Sequence, residues 1–129
     1  KKHAEEKWDT GIISKLLERI PEFAESIEIK EVYPDDGPYV YFSYFGDFLL
    51  HRISESKNTE LVIKVFDFIN EIFERENLSS KIWDLFNLEL FWRLQLKKTD
   101  SDLAEKYLKG RALLENQKKE GRPKDDGIV

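Results

Sequence analysis

A long apolar segment in the second half of the chain constrains the fold most strongly. The segment SKIWDLFNLELFWRLQLKK, residues 80–98, carries apolar residues almost the whole way round a helix axis. A helix that is apolar on every side must be covered by other elements. We therefore predict a central helix at about residues 80–97 that begins at Ser79 or Ser80. Its aromatic side chains are predicted to lie in the core: Trp83, Phe86, Phe91 and Trp92.

The stretch YVYFSYFGDF, residues 39–48, packs six aromatic rings into ten positions. A β-strand would place apolar side chains on both of its faces, which is a poor alternation. A helix that begins near Tyr41 separates the two classes of side chain, so we predict a helix here. Gly46 weakens this helix by about 1 kcal/mol relative to alanine. The predicted inner side holds Tyr41, Phe42, Phe45, Phe48, Leu49 and Ile53, and the outer side holds Ser43, Tyr44, Asp47 and His51.

The remaining segments also have helical periodicity. TGIISKLLERI is ended by a proline, PEFAESIEI is a short helix, and YPDDGP is a turn. TELVIKVFDFINEIFERE is clearly amphipathic. TDSD offers several caps for the last helix, LAEKYLKGRALLENQKK, in which Gly110 would permit close helix approach.

These patterns predict an all-α fold. We expect five to six helices, packed as antiparallel hairpins in a bundle or short solenoid-like array around the central helix. Residues 1–116 are predicted to form one domain, followed by a flexible charged tail at 117–129.

The charge is acidic and unevenly distributed. The 129 residues carry a net charge of −5, and the tail is slightly basic. Removing the tail leaves 17 basic and 23 acidic residues, a net charge of −6 for residues 1–116. Such a body repels phosphate backbones, so no nucleic-acid partner is expected. It would attract a basic protein, although charge for solubility alone is the more ordinary reason for it.

Composition limits the chemistry. The chain has no cysteine and two histidines, so disulfides and a structural zinc site are not expected, and no cofactor is predicted. No apolar run approaches the ~20 residues of a membrane span. The first residues, KKHAEEKW, lack a signal-peptide core, and a cytoplasmic location is predicted. The absence of any methionine suggests that the chain has been trimmed.

Catalytic motifs are also absent from the sequence. We find no P-loop, GxGxxG, GxSxG or HExxH pattern. A hydrolase built from Asp47, His51 and Glu89 would require these three side chains to meet in a cleft. We therefore predict a protein that is not an enzyme and has no catalytic residues.

Two clusters of side chains are candidates for partner binding. Asp47 and His51 lie one helical turn apart, so the carboxylate can orient the imidazole, and Tyr44 shares their face. Tyrosine is a favoured residue at interfaces, although a solvated face with a weak ion pair is the simpler interpretation. The second cluster is an acidic stripe on the helix of residues 59–76: Asp67, Glu71 and Glu74.

Glu89 and Arg93 are four residues apart on the central helix, on a face that should be buried. We predict a structural ion pair between them, and loss of one partner would then be costly. The alternative is that both side chains line a cleft that a ligand reaches.

Four motifs together suggest a family. KLLERIPEF, FGDFLLHRI, VFDFINEIFE and YLKGRALLE resemble a family of small, all-helical, uncharacterised bacterial domains found among polymorphic-toxin immunity proteins. The resemblance spans residues 12–116 and rests on apolar spacing, on a proline after the first helix and on a Gly-Asp pair before FLLHRI. It implies a protein that binds and neutralises a toxin inside the producing cell.

The sequence and the resemblance together predict a protein-binding domain, an immunity-type inhibitor that occludes a basic toxin domain. The alternative is a regulatory or scaffold subunit that self-associates, as a homodimer, through an uncovered part of the central helix. A membrane partner is not expected.

Overall fold

A computed structural model describes residues 2–33, 35–57, 59–75 and 78–118, with side chains described from residue 11 onward. The described part is helical and contains no strand, which confirms the predicted all-α class. The helices are α1 (Lys2–Arg19), α2 (Pro21–Ala24), a 3-10 helix (Glu28–Glu31), α3 (Pro38–Glu55), α4 (Thr59–Phe73), α5 (Ser80–Phe86), a π-helical segment (Asn87–Phe91), α6 (Trp92–Leu94), α7 (Lys98–Tyr107) and α8 (Gly110–Gln117).

The predicted central helix is present but is not a regular α-helix. Helix α5, the π-helical segment and α6 follow one another without a break, because the residues at both junctions keep α-helical backbone angles. The Ser79 hydroxyl accepts a hydrogen bond from the Ile82 amide, which confirms a start at this serine. The helix ends at Leu94, earlier than predicted. Phe86 and Phe91 are fully buried, whereas Trp83 and Trp92 are half-buried.

The aromatic stretch is helical, as predicted, and begins slightly earlier, at Pro38. All nine phenylalanines of the chain are buried in a single core. Rings from α3 contact rings from several other elements, with centroids 5.2 Å apart for Phe45 and Phe23 and 5.1 Å apart for Phe42 and Phe86. Helix α3 also contacts α1, α4, the 3-10 helix and the π-helical segment, so it connects most of the bundle.

Gly46 allows α3 to lie directly against the π-helical segment. A Cβ atom at this position would lie 2.6 Å from the Glu89 carbonyl oxygen and 2.5 Å from Nη1 of Arg93. Real Cβ atoms do not approach a carbonyl oxygen that closely, so any larger residue would separate the two helices. Close packing therefore requires glycine at position 46, although glycine is a weak helix former.

The predicted last helix is two helices. Helix α7 ends at Tyr107, and α8 starts at Gly110, which has a φ of +53° that favours glycine. Buried Asn70 bridges this break: its amide nitrogen donates to the Tyr107 carbonyl at 3.0 Å, and its carbonyl oxygen accepts from the Lys109 amide at 2.8 Å. One side chain of α4 thus satisfies backbone groups at the end of α7 and just before α8.

The predicted tail overlaps the last helix. Gln117 is the final residue of α8, and Lys118 follows it as the C-terminal cap. Residues 119–129, which make up most of the predicted tail, lie outside the described residues.

The close approach at Gly46 predicts a stability defect in the Gly46→Ala variant. Overpacking of this kind costs about 1–3 kcal/mol, and it should outweigh the helix-propensity gain of alanine. Gly11→Ala is the matched control, because Gly11 is an exposed helical glycine whose added Cβ would have no neighbour within 4 Å. Urea unfolding should show a lower midpoint for Gly46→Ala and an unchanged or higher midpoint for Gly11→Ala. Equal effects of the two substitutions would contradict the packing role of Gly46.

Candidate functional site: the outer face of helix α3 and the adjoining groove

His51 is held by a carboxylate from a different element than predicted. The 3-10 helix brings Glu28 against the C-terminal half of α3, where its Oε2 atom lies 2.7 Å from Nδ1 of His51. The same oxygen accepts a hydrogen bond of 3.0 Å from Nη2 of Arg52. The Glu28 side chain is only 5% exposed, whereas the His51 side chain is 60% exposed. Glu28, and not Asp47, therefore orients the imidazole ring of His51.

The surroundings of Glu28 favour the ionised form of its carboxyl group. Burial alone raises the pKa of this carboxyl group, but the hydrogen bond from His51, a backbone hydrogen bond and the charge of Arg52 lower the pKa below its ordinary value. Its second oxygen, Oε1, is buried and accepts no hydrogen bond from any described residue. The carboxylate thus depends on its contacts with His51 and Arg52.

Asp47 pairs with Arg93 across the two packed helices. Nη2 of Arg93 donates to Oδ1 of Asp47, and Nη1 donates to the Ser43 carbonyl oxygen at 2.9 Å. The predicted ion pair between Glu89 and Arg93 is therefore wrong, because Arg93 bonds to residues of α3 instead. Within the described residues, Glu89 has no ion pair closer than 4.0 Å.

The surroundings of Glu89 disfavour its ionised form, whereas those of Glu28 favour it. Burial raises the pKa of Glu89, and the nearby charge of Asp47 raises it further, while the charge of Arg93 opposes both. Asp47 and His51 bond to Arg93 and Glu28 instead of to each other or to Glu89. The three side chains are thus not joined as the hydrolase hypothesis requires.

The other predicted contact residues differ in their availability. Tyr44 lies on the same side of α3 as Asp47 and His51, but it is half-buried and packs against the core.

The acidic stripe on α4 offers two exposed carboxylates instead of three. Glu71 is paired with Arg19 and lies 3.8 Å from Nζ of Lys15, so α1 neutralises it. Asp67 and Glu74 remain exposed on α4 and its C-terminal end.

A groove of about 670 Å³ adjoins this face of α3. One wall is the C-terminal half of α3, and the other runs from α6 into the first turns of α7. Its lining combines apolar and charged side chains: Leu50, His51, Ile53, Arg93, Leu96, Lys97, Asp100, Asp102 and Leu103, together with smaller polar residues. The groove can therefore accept a ligand or a segment that is itself part apolar and part charged.

Sequence reasoning missed Glu28 and Asp100. Glu28 lies 23 residues before His51, and helical periodicity carries no information about contacts between different elements. The TDSD segment identifies Asp100 only as a possible helix cap. Its burial depends on how α7 packs, which no local pattern reveals.

A protein-family model, described as Domain of unknown function (DUF7674), matches residues 13–115. The chain belongs to this family. The match agrees with the predicted small uncharacterised domain and with its approximate bounds, and its description names no activity. No curated protein matches the chain, and no solved structure matches it. The link of the DUF7674 chain to toxin immunity therefore stays a prediction.

Membrane spans and metal clusters are both missing from the part of the chain that the structure describes. None of the described helices has the length and the apolar character that a bilayer crossing requires. The described side chains include no group of three or more histidine, aspartate or glutamate residues arranged to hold a metal ion.

The opposite environments of Glu28 and Glu89 predict opposite effects of neutralising them. A lowered pKa means that ionised Glu28 contributes stability above its ordinary pKa of about 4.3, and this stability is lost as the pH falls through the folded-state pKa. Glu28→Gln should therefore lower the free energy of unfolding at pH 7 by roughly 1–3 kcal/mol. The raised pKa of Glu89 means that its charge opposes folding at pH 7, so Glu89→Gln should be stabilising there.

Urea unfolding of both variants and the wild-type protein between pH 7 and pH 3 measures these differences. Both differences should shrink as the pH falls, because the wild-type carboxyl groups become neutral. A destabilising Glu89→Gln variant at pH 7 would contradict the environment described for Glu89.

Proposed function

We propose that this chain is a non-enzymatic protein-binding domain that uses the outer face of α3 and the adjoining groove. The main support is the way its polar side chains are held: Glu28 fixes His51 and Arg93 fixes Asp47, each from a different element. Side chains that are already ordered lose little conformational entropy when a partner binds. A groove with an apolar lining and a charged rim suits a protein segment.

The more specific proposal is an immunity-type inhibitor that occludes a basic toxin domain. The acidic net charge of −5 would steer a basic partner toward the chain and speed the encounter. Of the predicted acidic contacts on α4, Asp67 and Glu74 are the two that stay exposed. Glu71 has a structural role in holding α1 against α4, so it contributes less to this attraction.

The inhibitor proposal is tested by growth. Cells that produce a candidate toxin, encoded beside the gene of this chain, should survive when the chain is co-expressed. Purified chain and toxin domain should then form a stable complex that blocks the toxin's active site. Survival that is independent of the chain, or the absence of a complex, would rule that toxin out.

Electrostatic steering is tested with charge-reversal variants of the same size. Asp67→Lys together with Glu74→Lys should slow association, by roughly up to tenfold at low salt, and should flatten its salt dependence. Glu25→Lys together with Glu105→Lys is the matched control, because both residues are exposed and the net charge changes equally. Stopped-flow or surface-based kinetics would measure both. Equal slowing by the two pairs would mean that only the net charge matters and would remove the α4 stripe from the interface.

A second candidate function is self-association, and exposed leucines favour it. Leu88 on the π-helical segment is 54% exposed, and Leu114 on α8 is 60% exposed beside half-buried Trp83. If these side chains form a homodimer, light scattering after size exclusion should give a dimer at micromolar concentration. The Leu88→Glu variant should then be a monomer. A monomeric wild-type protein would rule this function out under those conditions.

A further inference from the structure

Asp100 is a largely buried residue whose carboxylate forms no ion pair within 4.0 Å among the described residues. It lies in the first turn of α7, the residue is only 7% exposed, and it lines the groove. Among the described residues, no side chain or backbone group forms a hydrogen bond or an ion pair with its carboxylate. Asp102, two residues further on, is exposed and lies 3.3 Å from Nζ of Lys98. The two aspartates of this wall thus differ both in their exposure to solvent and in having an ion-pair partner.

The energetic consequence concerns the charge of Asp100. Even partial removal of a carboxylate from water is costly unless a cation or hydrogen-bond donors compensate it. Burial raises the pKa of Asp100, and the charge of nearby Lys97 opposes this rise without cancelling it. A cation that entered the groove would pair with Asp100 and relieve the cost.

The other charges of the groove leave Asp100 as the natural anchor. Arg93 lines the groove, but Asp47 already neutralises it, and Asp102 is matched by Lys98. His51 on the opposite wall is held by Glu28. Among the described lining residues Lys97 is the remaining cation, and it lies at the exposed end of the wall. Lys97 therefore acts on Asp100 only at longer range, and no ion pair within 4.0 Å matches the Asp100 charge among the described residues.

The apolar lining next to Asp100 defines the rest of the ligand. Leu50 and Ile53 of α3 face Leu96 and Leu103 across the groove. These side chains would take up the apolar stem of a long basic side chain and an apolar neighbour in the same segment. A short peptide segment with an arginine between apolar residues satisfies both requirements.

We propose that the groove between α3 and α7 receives an arginine or lysine side chain of the partner, with Asp100 as its carboxylate anchor and the leucine-rich lining as the seat of the flanking apolar residues. The proposal rests on the proposed protein-binding function and names the chemistry of the partner segment. It agrees with a basic partner for this acidic chain. The competing occupant is an acidic segment that pairs with Lys97.

Three peptides distinguish these occupants: acetyl-Leu-Arg-Leu-amide, acetyl-Leu-Gln-Leu-amide and acetyl-Leu-Glu-Leu-amide. Each is titrated into the full chain, and binding is followed by NMR through the backbone amides of residues 96–103 and the carboxyl carbon of Asp100. The arginine peptide should bind most tightly, and the titration of Asp100 should move to lower pH in its presence. Equal binding of the arginine and glutamine peptides would overturn the proposal, and so would a preference for the glutamate peptide.

Two matched variants locate the anchor. Asp100→Asn should weaken arginine-peptide binding by about tenfold or more, because it removes the buried charge but keeps the shape. Asp102→Asn should change binding by less than about threefold, because exposed ion pairs contribute little. Thermal unfolding checks that both variants are folded, and Asp100→Asn should be at least as stable as the wild type at pH 7. An effect of Asp102→Asn that equals that of Asp100→Asn would contradict the buried anchor.

The outcome is independent of the toxin experiment. If the chain neutralises a toxin but binds the three peptides equally, the function stands and the role of Asp100 is wrong. If the arginine peptide binds selectively but the candidate toxin is not neutralised, the groove chemistry stands and the inhibitor proposal fails for that toxin.

Discussion

The close contact between α3 and the π-helical segment holds this structure together. At Gly46 the two backbones approach so closely that no Cβ atom fits between them. Arg93 extends beside this contact, where it bonds to the Ser43 carbonyl and to Asp47. The groove is bounded by α3 on one side and by Arg93 and the residues that follow the central helix on the other. Arg93 therefore belongs both to the close contact at Gly46 and to the lining of the groove.

Most ion pairs among the described residues connect different elements. Glu22 binds Lys64 at 3.0 Å, Glu71 pairs with Arg19, and Glu28 binds His51. An acidic surface that looks available in the sequence is thus partly used internally. A partner of the proposed kind would therefore meet a smaller set of exposed carboxylates on α4 and Asp100 in the groove. Recognition by this chain would depend on specific positions more than on its overall acidity.

The fold could be predicted from the sequence to a large extent, because it follows from local patterns. The spacing of Phe42, Phe45 and Phe48 identifies the buried side of α3, and the apolar central segment requires a surrounding bundle. The break between α7 and α8 could not be predicted, since it depends on Asn70 of another helix. Gly110 is the sequence signal at this break, but its role there is a positive φ and not the close helix approach that its position suggests.

The candidate site was harder to predict than the fold. The outer face of α3 follows from periodicity, but both polar pairs expected within a helix were wrong. Asp47 and His51 are four residues apart and still take partners 46 residues later and 23 residues earlier, respectively. Local spacing shows which side chains can meet, and tertiary packing decides which of them do. Asp100 becomes a candidate only through its burial in the groove.

The π-helical turn sets the rotation of the central helix beyond it. One inserted residue turns everything that follows by about 100° around the helix axis, compared with an uninterrupted α-helix. Without this turn, Arg93 would point about a quarter of a circle away from Asp47. Deleting one residue within Asn87–Phe91 would let the segment wind as a regular α-helix and keep Arg93 on the side of α3, because the deletion and the loss of the π-helical turn rotate the following residues in opposite senses. The local irregularity acts as a phase adjustment that aligns two otherwise ordinary helical stretches with their neighbours.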